Sequence, residues 1–201
     1  MFLLNKFRYK KWYKLTSARR QDVLQKLENK MARRAGRPAL PLCVKTDTNW
    51  NCYGMFEHSN GKSIIYINIH LLTDPALRFQ AMATILHEGR HATQYYIINS
   101  DLAWFQFRAK GWKRNIQEYV SSAEDSSLYR MQEVERDAQL FAIKHLKRWR
   151  RKYENEEDFE RTFEIMKRQY SLAEEKAIKK YGKFYRYKIR KEIKNKKRLD
   201  R

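Results

Sequence analysis

Cysteine, proline and glycine are scarce in this sequence, which has 2, 3 and 6 of them among its 201 residues. Two cysteines are too few for a disulfide framework, so Cys43 and Cys52 are predicted to be buried free thiols in a reducing compartment. Long apolar runs are missing as well. The run at residues 2–4 is too short for a signal peptide, and no stretch approaches the roughly 18 residues of a membrane helix. We therefore expect a cytoplasmic protein without a membrane span.

Acidic residues are scarce at both ends of the chain. The formal net charge is +21, of which residues 1–37 carry +10, residues 38–175 carry none and residues 176–201 carry +11. Strongly basic ends are typical of proteins that contact a polyanion, such as nucleic acid or an anionic membrane surface. A lysine-rich helix that only improves solubility is the alternative. Non-specific nucleic acid, bound through the basic ends, is therefore one candidate partner.

The basic tail also contains aromatic residues. Phe184, Tyr185 and Tyr187 alternate with lysine and arginine, and such rings can stack on unpaired bases. The same rings can instead pack a tail helix onto the body of the protein. The sequence leaves both interpretations open.

The hydrophobic pattern predicts an α+β fold that is mostly helical. Apolar residues at three- and four-residue steps predict a first helix over 18–34, and Ser59-Asn60-Gly61 predicts a hairpin turn. Asp74-Pro75 predicts the start of a long helix, with aspartate as cap and proline in the first turn. The expected elements are a hairpin of 50–57 with 63–69, an extended segment at 42–44, and helices over 75–98, 101–120 (interrupted at Gly111), 128–151 and 156–180.

The long helix contains the sequence His87-Glu88-Gly89-Arg90-His91. Histidines four residues apart lie on one face of a helix, which lets two imidazoles bind one zinc ion. Glu88 lies beside them, where it can take a proton from a water molecule. Gly89 is unusual, because zincins have a bulky apolar residue there; close approach of another backbone would explain it.

A zinc site also needs a third protein ligand, and the helix predicted over 128–151 offers two glutamates. At about 100° per residue, Glu135 lies roughly 70° from the centre of the apolar stripe, whereas Glu133 lies roughly 130° away, towards solvent. A carboxylate beside a buried stripe must be paired or metal-bound. Glu135 is therefore the predicted ligand, and Glu133 is the alternative.

Two further polar residues are candidates near the site. Gln94 follows His91 by three residues and either contacts substrate or fills a polar groove. Asp137 either accepts a hydrogen bond from a ligand histidine or forms a surface ion pair with Arg136 or Arg130.

Residues 87–94 have the sequence His-Glu-Gly-Arg-His-Ala-Thr-Gln, with Ile67-Asn68 before them and Glu135-x-Asp137-Ala138-x-x-Phe141-Ala142 after them. In this arrangement the chain resembles small zincin metallopeptidases of Gram-positive phages and mobile elements, and more distantly the ImmA/IrrE-type zincins. The resemblance covers residues 16–150. It implies a gluzincin-like site with His87, His91 and Glu135 on zinc and Glu88 as general base.

The expected organisation has three parts. Residues 1–37 form a basic helical N-terminal region, residues 38–150 a zincin-like core with a small antiparallel sheet packed on the zinc-binding helix, and residues 151–201 a helical, basic extension. The expected function is zinc-dependent hydrolysis of a peptide bond in a protein or peptide substrate. The alternatives are a regulatory module that retains zinc, cleaves little and binds nucleic acid through its basic ends, and a helical nucleic-acid-binding protein whose histidine motif is accidental.

Stabilising the oxyanion of the reaction requires a further hydrogen-bond donor. The candidates are Tyr95, Tyr129, His70 and His145, each of which can equally be an ordinary core or groove residue.

Overall fold

The structure is a computed structural model that describes residues 3–47, 49–100 and 106–199. The chain divides into two compact units, here called unit 1 (Met1–Thr93 with Phe141–Glu164) and unit 2 (Gln94–Leu140 with Ile165–Arg201). The described residues form an α+β protein that is mostly helical, as predicted, with one small sheet. None of the described helices is both long and apolar enough to cross a membrane.

Unit 1 begins with a 3-10 turn (Leu3–Phe7), followed by a short helix α1 (Tyr9–Trp12) and the longer helix α2 (Ser17–Arg34). The side chain of Thr16 caps α2 by accepting a hydrogen bond from the backbone N–H of Arg19. The helix ends at Arg34, and the φ of 67° at the nearby Gly36 lets the N–H of Arg37 return to the carbonyl of Ala32 at 3.1 Å. The predicted apolar stripe of this helix is buried, which confirms its phase: Val23, Leu24, Leu27 and Met31.

The sheet of unit 1 has three strands, β1 (Leu42–Lys45), β2 (Gly54–Ser59) and β3 (Lys62–Asn68), in the order β1-β3-β2. The predicted hairpin is confirmed: β2 and β3 are antiparallel, and Asn60 and Gly61 both have positive φ in the turn between them. The expectation of an antiparallel sheet holds for this pair of strands but not for β1, which pairs with β3 in parallel.

A short helix α3 (His70–Thr73) and a 3-10 turn (Pro75–Leu77) lead into the long helix α4 (Arg78–Ile98). Asp74 caps this start as predicted, since its carboxylate accepts the N–H of Ala76 at 2.8 Å. The part of α4 in unit 1 is almost entirely buried on its apolar side: Phe79, Ala81, Met82, Ala83, Ile85 and Leu86.

Unit 2 contains helices α5 (Gln106–Gln117) and α6 (Ser126–Met131), followed by α7 (Glu133–Trp149), α8 (Glu157–Tyr181) and α9 (Tyr185–Leu199), of which α7 and α8 each have residues in both units. The first five residues of the helix predicted over 101–120, which include Trp104 and Phe105, lie outside the described residues. Within α5, Gly111 does not interrupt the helix. Instead it gives room to the carboxylate of Glu133, which a Cβ at this position would approach to 2.8 Å.

The helix predicted over 128–151 is two helices. The break lies at Gln132, whose ψ of 155° is extended. Its buried side chain accepts hydrogen bonds from Asn115 and from the N–H of Val120, and donates to the carbonyl of Val120 at 2.8 Å. At the break the backbone N–H of Val134 donates to Oδ1 of Asn115 at 2.9 Å, whereas the N–H of Gln132 still donates to the carbonyl of Leu128.

The basic tail is a separate helix and does not continue α8, because Gly182 adopts a φ of 73° between them. One face of α9 belongs to a hydrophobic cluster of unit 2, to which it contributes Tyr185, Ile189 and Ile193 alongside Val120, Leu128, Met131 and Ala177. The tail is therefore an integral part of the core of unit 2.

This packing predicts a difference between neighbouring residues of α9. Replacing buried Ile189 with alanine should lower the free energy of unfolding by about 2–4 kcal/mol, because the lost methylene groups leave a cavity. Replacing exposed Tyr187 with alanine should change it by about 0.5 kcal/mol or less. Urea denaturation measures both. Equal effects would mean that α9 does not pack on this cluster.

Candidate metal centre

Two histidines of α4 point their rings at one place. The Nε2 atoms of His87 and His91 lie 3.1 Å apart, and their ring planes meet at 78°. Both side chains are half-buried and remain accessible from solvent. The spacing of four residues produces this arrangement, because side chains at i and i+4 share one face of a helix.

The separation of the two nitrogens suits a zinc ion. Two imidazole nitrogens at about 2.0–2.1 Å from a tetrahedral zinc are about 3.4 Å apart. The observed 3.1 Å is within a few tenths of an ångström of that value. A divalent ion of this type therefore fits the histidine pair.

Glu135 of α7 completes a group of potential ligands. One ligand atom from each of His87, His91 and Glu135 lies within 4.8 Å of the others, and the side chain of Glu135 is only 5% exposed. Two imidazoles and a carboxylate are a donor set that zinc accepts. The alternative residue, Glu133, has other contacts in unit 2, where its carboxylate pairs with Arg190 at 2.9 Å.

The carboxylate of Glu135 is oriented by a tyrosine. The hydroxyl of Tyr119 donates to Oε1 of Glu135 at 2.6 Å, and the ring of Tyr129 contacts that of Tyr119 edge to face. Burial raises the pKa of Tyr119 far above its usual value, and the nearby negative charge of Glu135 raises it further. Tyr119 therefore stays protonated and remains a donor to Oε1 of Glu135, which fixes the direction of the carboxylate.

Glu88 has a different partner from the two histidines. Its Oε2 accepts a hydrogen bond from the backbone N–H of Phe56 in β2 at 2.8 Å, and the residue is 8% exposed. Strand β2 approaches α4 closely at Gly54, where a Cβ would collide with Thr84 and lie 3.0 Å from Cγ of Glu88. Glycine at this position lets the strand approach closely enough to hold the carboxylate of Glu88.

The unusual glycine of the motif faces a buried ion pair. Arg37 and Glu28 form a two-pronged pair with Nη–Oε distances of 2.7 and 3.0 Å and side chains 2% and 0% exposed. A Cβ on Gly89 would lie 3.0 Å from Oε2 of Glu28 and 3.4 Å from Nη2 of Arg37. Arg37 also donates to the carbonyl of Gly89 and to the hydroxyl of Thr93. The close neighbour of Gly89 is thus a side-chain ion pair, and the expectation of a close backbone is wrong.

Gln94 and Asp137 lie together in unit 2. The Nε2 of Gln94 donates to Oδ2 of Asp137 at 2.8 Å and to the carbonyl of Val134 at 3.0 Å, and Gln94 is 1% exposed. Gln94 therefore uses its two amide hydrogens to fix the first turn of α7, the turn that carries Glu135. This contact favours a structural role over direct contact with substrate.

The four residues considered as oxyanion donors have varied surroundings. His70 is exposed beside the start of α3, and Tyr95 is half-buried on α4. Tyr129 contacts Tyr119, as described above. His145 has its Nδ1 3.0 Å from the carbonyl of Phe141, and burial lowers its pKa, so that its ring is neutral at pH 7.

Sequence reasoning missed Glu28, Arg37 and Tyr119. Glu28 could have been predicted to be paired, because it follows Leu27 on the apolar stripe of α2, where a lone carboxylate requires a partner. Arg37 had no comparable signal. Tyr119 also had none, since it lies outside the helices and 16 positions before the carboxylate it contacts.

The ion pair behind the motif predicts a large effect on stability. Replacing Arg37 with methionine leaves the carboxylate of Glu28 buried without a counter-charge and with only the N–H of Leu40 as donor, which should cost about 3–5 kcal/mol in the free energy of unfolding. Arg33 is exposed on the last turn of α2, so Arg33→Met is the matched control and should cost about 0.5 kcal/mol or less. Urea denaturation of both variants tests this, and similar small losses would contradict the role of the pair.

Comparisons with protein-family models, with curated proteins and with solved structures found no match for this chain. The zincin resemblance therefore stays a prediction from the motif.

Proposed function

We propose that the protein is a zinc-dependent peptidase. The observation that supports this most directly is the grouping of His87, His91 and Glu135 within 4.8 Å, with Glu88 adjacent in sequence but held by a different partner. His87, His91 and Glu135 would hold the ion. A bound zinc ion supplies a Lewis acid that polarises a carbonyl group and makes a nearby water molecule more acidic.

Glu88 is suited to move the proton. The N–H of Phe56 occupies Oε2 and fixes the carboxylate, while Oε1 remains to accept a proton from the attacking water. The water oxygen then bonds to the carbonyl carbon, the C–N bond breaks, and Glu88 returns the proton to the leaving nitrogen. In these steps Glu88 acts first as base and then as acid. Water and the peptide are the two reactants consumed.

A peptide is the substrate that the sheet favours. Strand β2 is at one edge of the described sheet, in the order β1-β3-β2, and its Phe56 N–H is bonded to Glu88. An extended peptide that pairs with an edge strand gains main-chain hydrogen bonds along its length. A peptide bound along β2 would lie next to Glu88.

The proposal predicts one zinc ion per chain and a specific third ligand. Glu135→Gln should lose bound zinc, since an amide oxygen is a much weaker ligand than a carboxylate, yet it can still accept the hydrogen bond from Tyr119. Glu133→Gln is the matched control on the same helix and should retain zinc. Metal analysis of the purified proteins measures both, with His87→Ala as the metal-free reference. Loss of zinc from Glu133→Gln alone would transfer the ligand role to that residue.

A second prediction separates proton transfer from metal binding. Glu88→Gln should keep zinc and remain folded, because the amide oxygen still accepts the N–H of Phe56, but peptide cleavage should fall by a factor of about 10² to 10⁴ or more. Cleavage of an unfolded protein substrate and metal content are measured on the same sample. Zinc in the wild type without any cleavage would instead favour a regulatory module that retains the metal.

A further inference from the structure

Two adjoining cavities in unit 2 form one basic groove. Their volumes are about 190 and 340 Å³, and both are lined by Arg114, Glu118 and Arg190. We call them together the α5–α9 groove. Its basic side chains come from three helices: Lys110 and Arg114 of α5, Arg136 of α7, and Arg186, Arg190, Lys191 and Lys194 of α9.

The positive charge of the groove is not neutralised by its own acidic residues. Of the described residues, only Glu118 and Glu133 line it with opposite charge, and Glu133 is already paired with Arg190. Among the residues that the structure describes, Lys110, Arg114, Lys191 and Lys194 have no ion-pair partner. A groove with this excess of cations attracts an anionic ligand.

Arg136 adds a more specific requirement. Its Nε is buried and has no hydrogen-bond acceptor within the described part of the chain. A buried N–H without an acceptor costs free energy, and an anionic oxygen that enters the cavity beside this guanidinium would reduce that cost. Arginine is also the side chain best suited to bind the oxygens of a phosphate group.

Two exposed aromatic residues border the same groove. Phe107 is 92% exposed and lines the first cavity, and Tyr187 is 67% exposed and lines the second. Rings of this kind stack on unpaired bases, whereas a peptide of acidic residues has no group that requires them. Of the three aromatic residues at the start of the tail, only Tyr185 is buried in the core.

Helix α9 holds its basic residues in fixed positions. Because Tyr185, Ile189 and Ile193 are buried at four-residue steps, the residues that follow each of them lie on one adjacent side of the helix. Those residues are Arg186, Arg190 and Lys194, and all three line the groove. The packing of the tail therefore presents a row of cations and does not merely cover the core.

We propose that the α5–α9 groove binds single-stranded nucleic acid, with its cations on the phosphates and Phe107 and Tyr187 against unpaired bases. No residue of the groove belongs to the candidate metal centre, so this activity is independent of the proposed peptidase. In this proposal nucleic acid binds to the α5–α9 groove of unit 2, and the basic N-terminal region (residues 1–37) takes no part in binding.

Fluorescence anisotropy with a labelled 20-nucleotide deoxythymidine strand tests the proposal on the full chain. The variant Lys110→Gln/Lys191→Gln/Lys194→Gln should weaken binding at least tenfold at low salt and make the slope of log Kd against log salt smaller by about 2, at roughly 0.7 per phosphate contact. The matched control is Lys176→Gln/Lys179→Gln/Lys188→Gln, which removes the same charge from exposed positions of unit 2 that do not line the groove. This control variant should change Kd by less than about threefold.

The aromatic contact has its own control. Tyr187→Ala should weaken binding of the strand by roughly fivefold or more, whereas Phe184→Ala, which removes an equally exposed ring outside the groove, should not. Equal losses in the two lysine variants would show attraction to the net charge alone and overturn the proposal. Tighter binding of a duplex or of polyglutamate, without an effect of Tyr187→Ala, would overturn it as well.

Discussion

Arg37 and Glu28 form an ion pair that is almost wholly removed from solvent, directly behind the helix that carries the histidines. Burying two charges costs several kcal/mol per ion unless their hydrogen bonds are complete. Here all five N–H groups of Arg37 have acceptors, which are Glu28, Pro38, Gly89 and Thr93. The pair thus ties α2 to the middle of α4, and it occupies the space that a side chain at position 89 would need.

Three buried glutamates illustrate how a partner determines what a carboxylate can do. Glu28 is neutralised by a guanidinium on both oxygens, so it has no capacity left for chemistry. Glu88 accepts a backbone N–H at one oxygen, which orients it and leaves the other oxygen basic. Glu135 accepts a phenolic hydroxyl, which fixes its direction without adding a positive charge that would compete with a cation. Burial is common to all three, and only the partner separates a structural role from a chemical one.

The sequence predicts those features that depend on neighbours along the chain. The cap at Asp74, the turn at Asn60-Gly61 and the spacing of His87 and His91 are local, and the structure has all of them. The break at Gln132 was not predicted, because its cause is a set of hydrogen bonds with Val120, and a glutamine fits a helical pattern well. Features fixed by contacts between distant segments leave little trace in periodicity.

The net charge of +21 has more than one physical origin. Arg20 and Arg78 are 6% and 1% exposed and bond to backbone carbonyls or to acidic side chains, so their charges hold the fold and cannot meet a polyanion. Arg37 belongs with them. Lysines and arginines of α9 differ, because the apolar face of that helix is buried and the basic residues beside it line a groove. Similar excesses of charge at the two ends of a chain therefore do not imply equal binding, since cations that the fold buries with a partner cannot contribute to it.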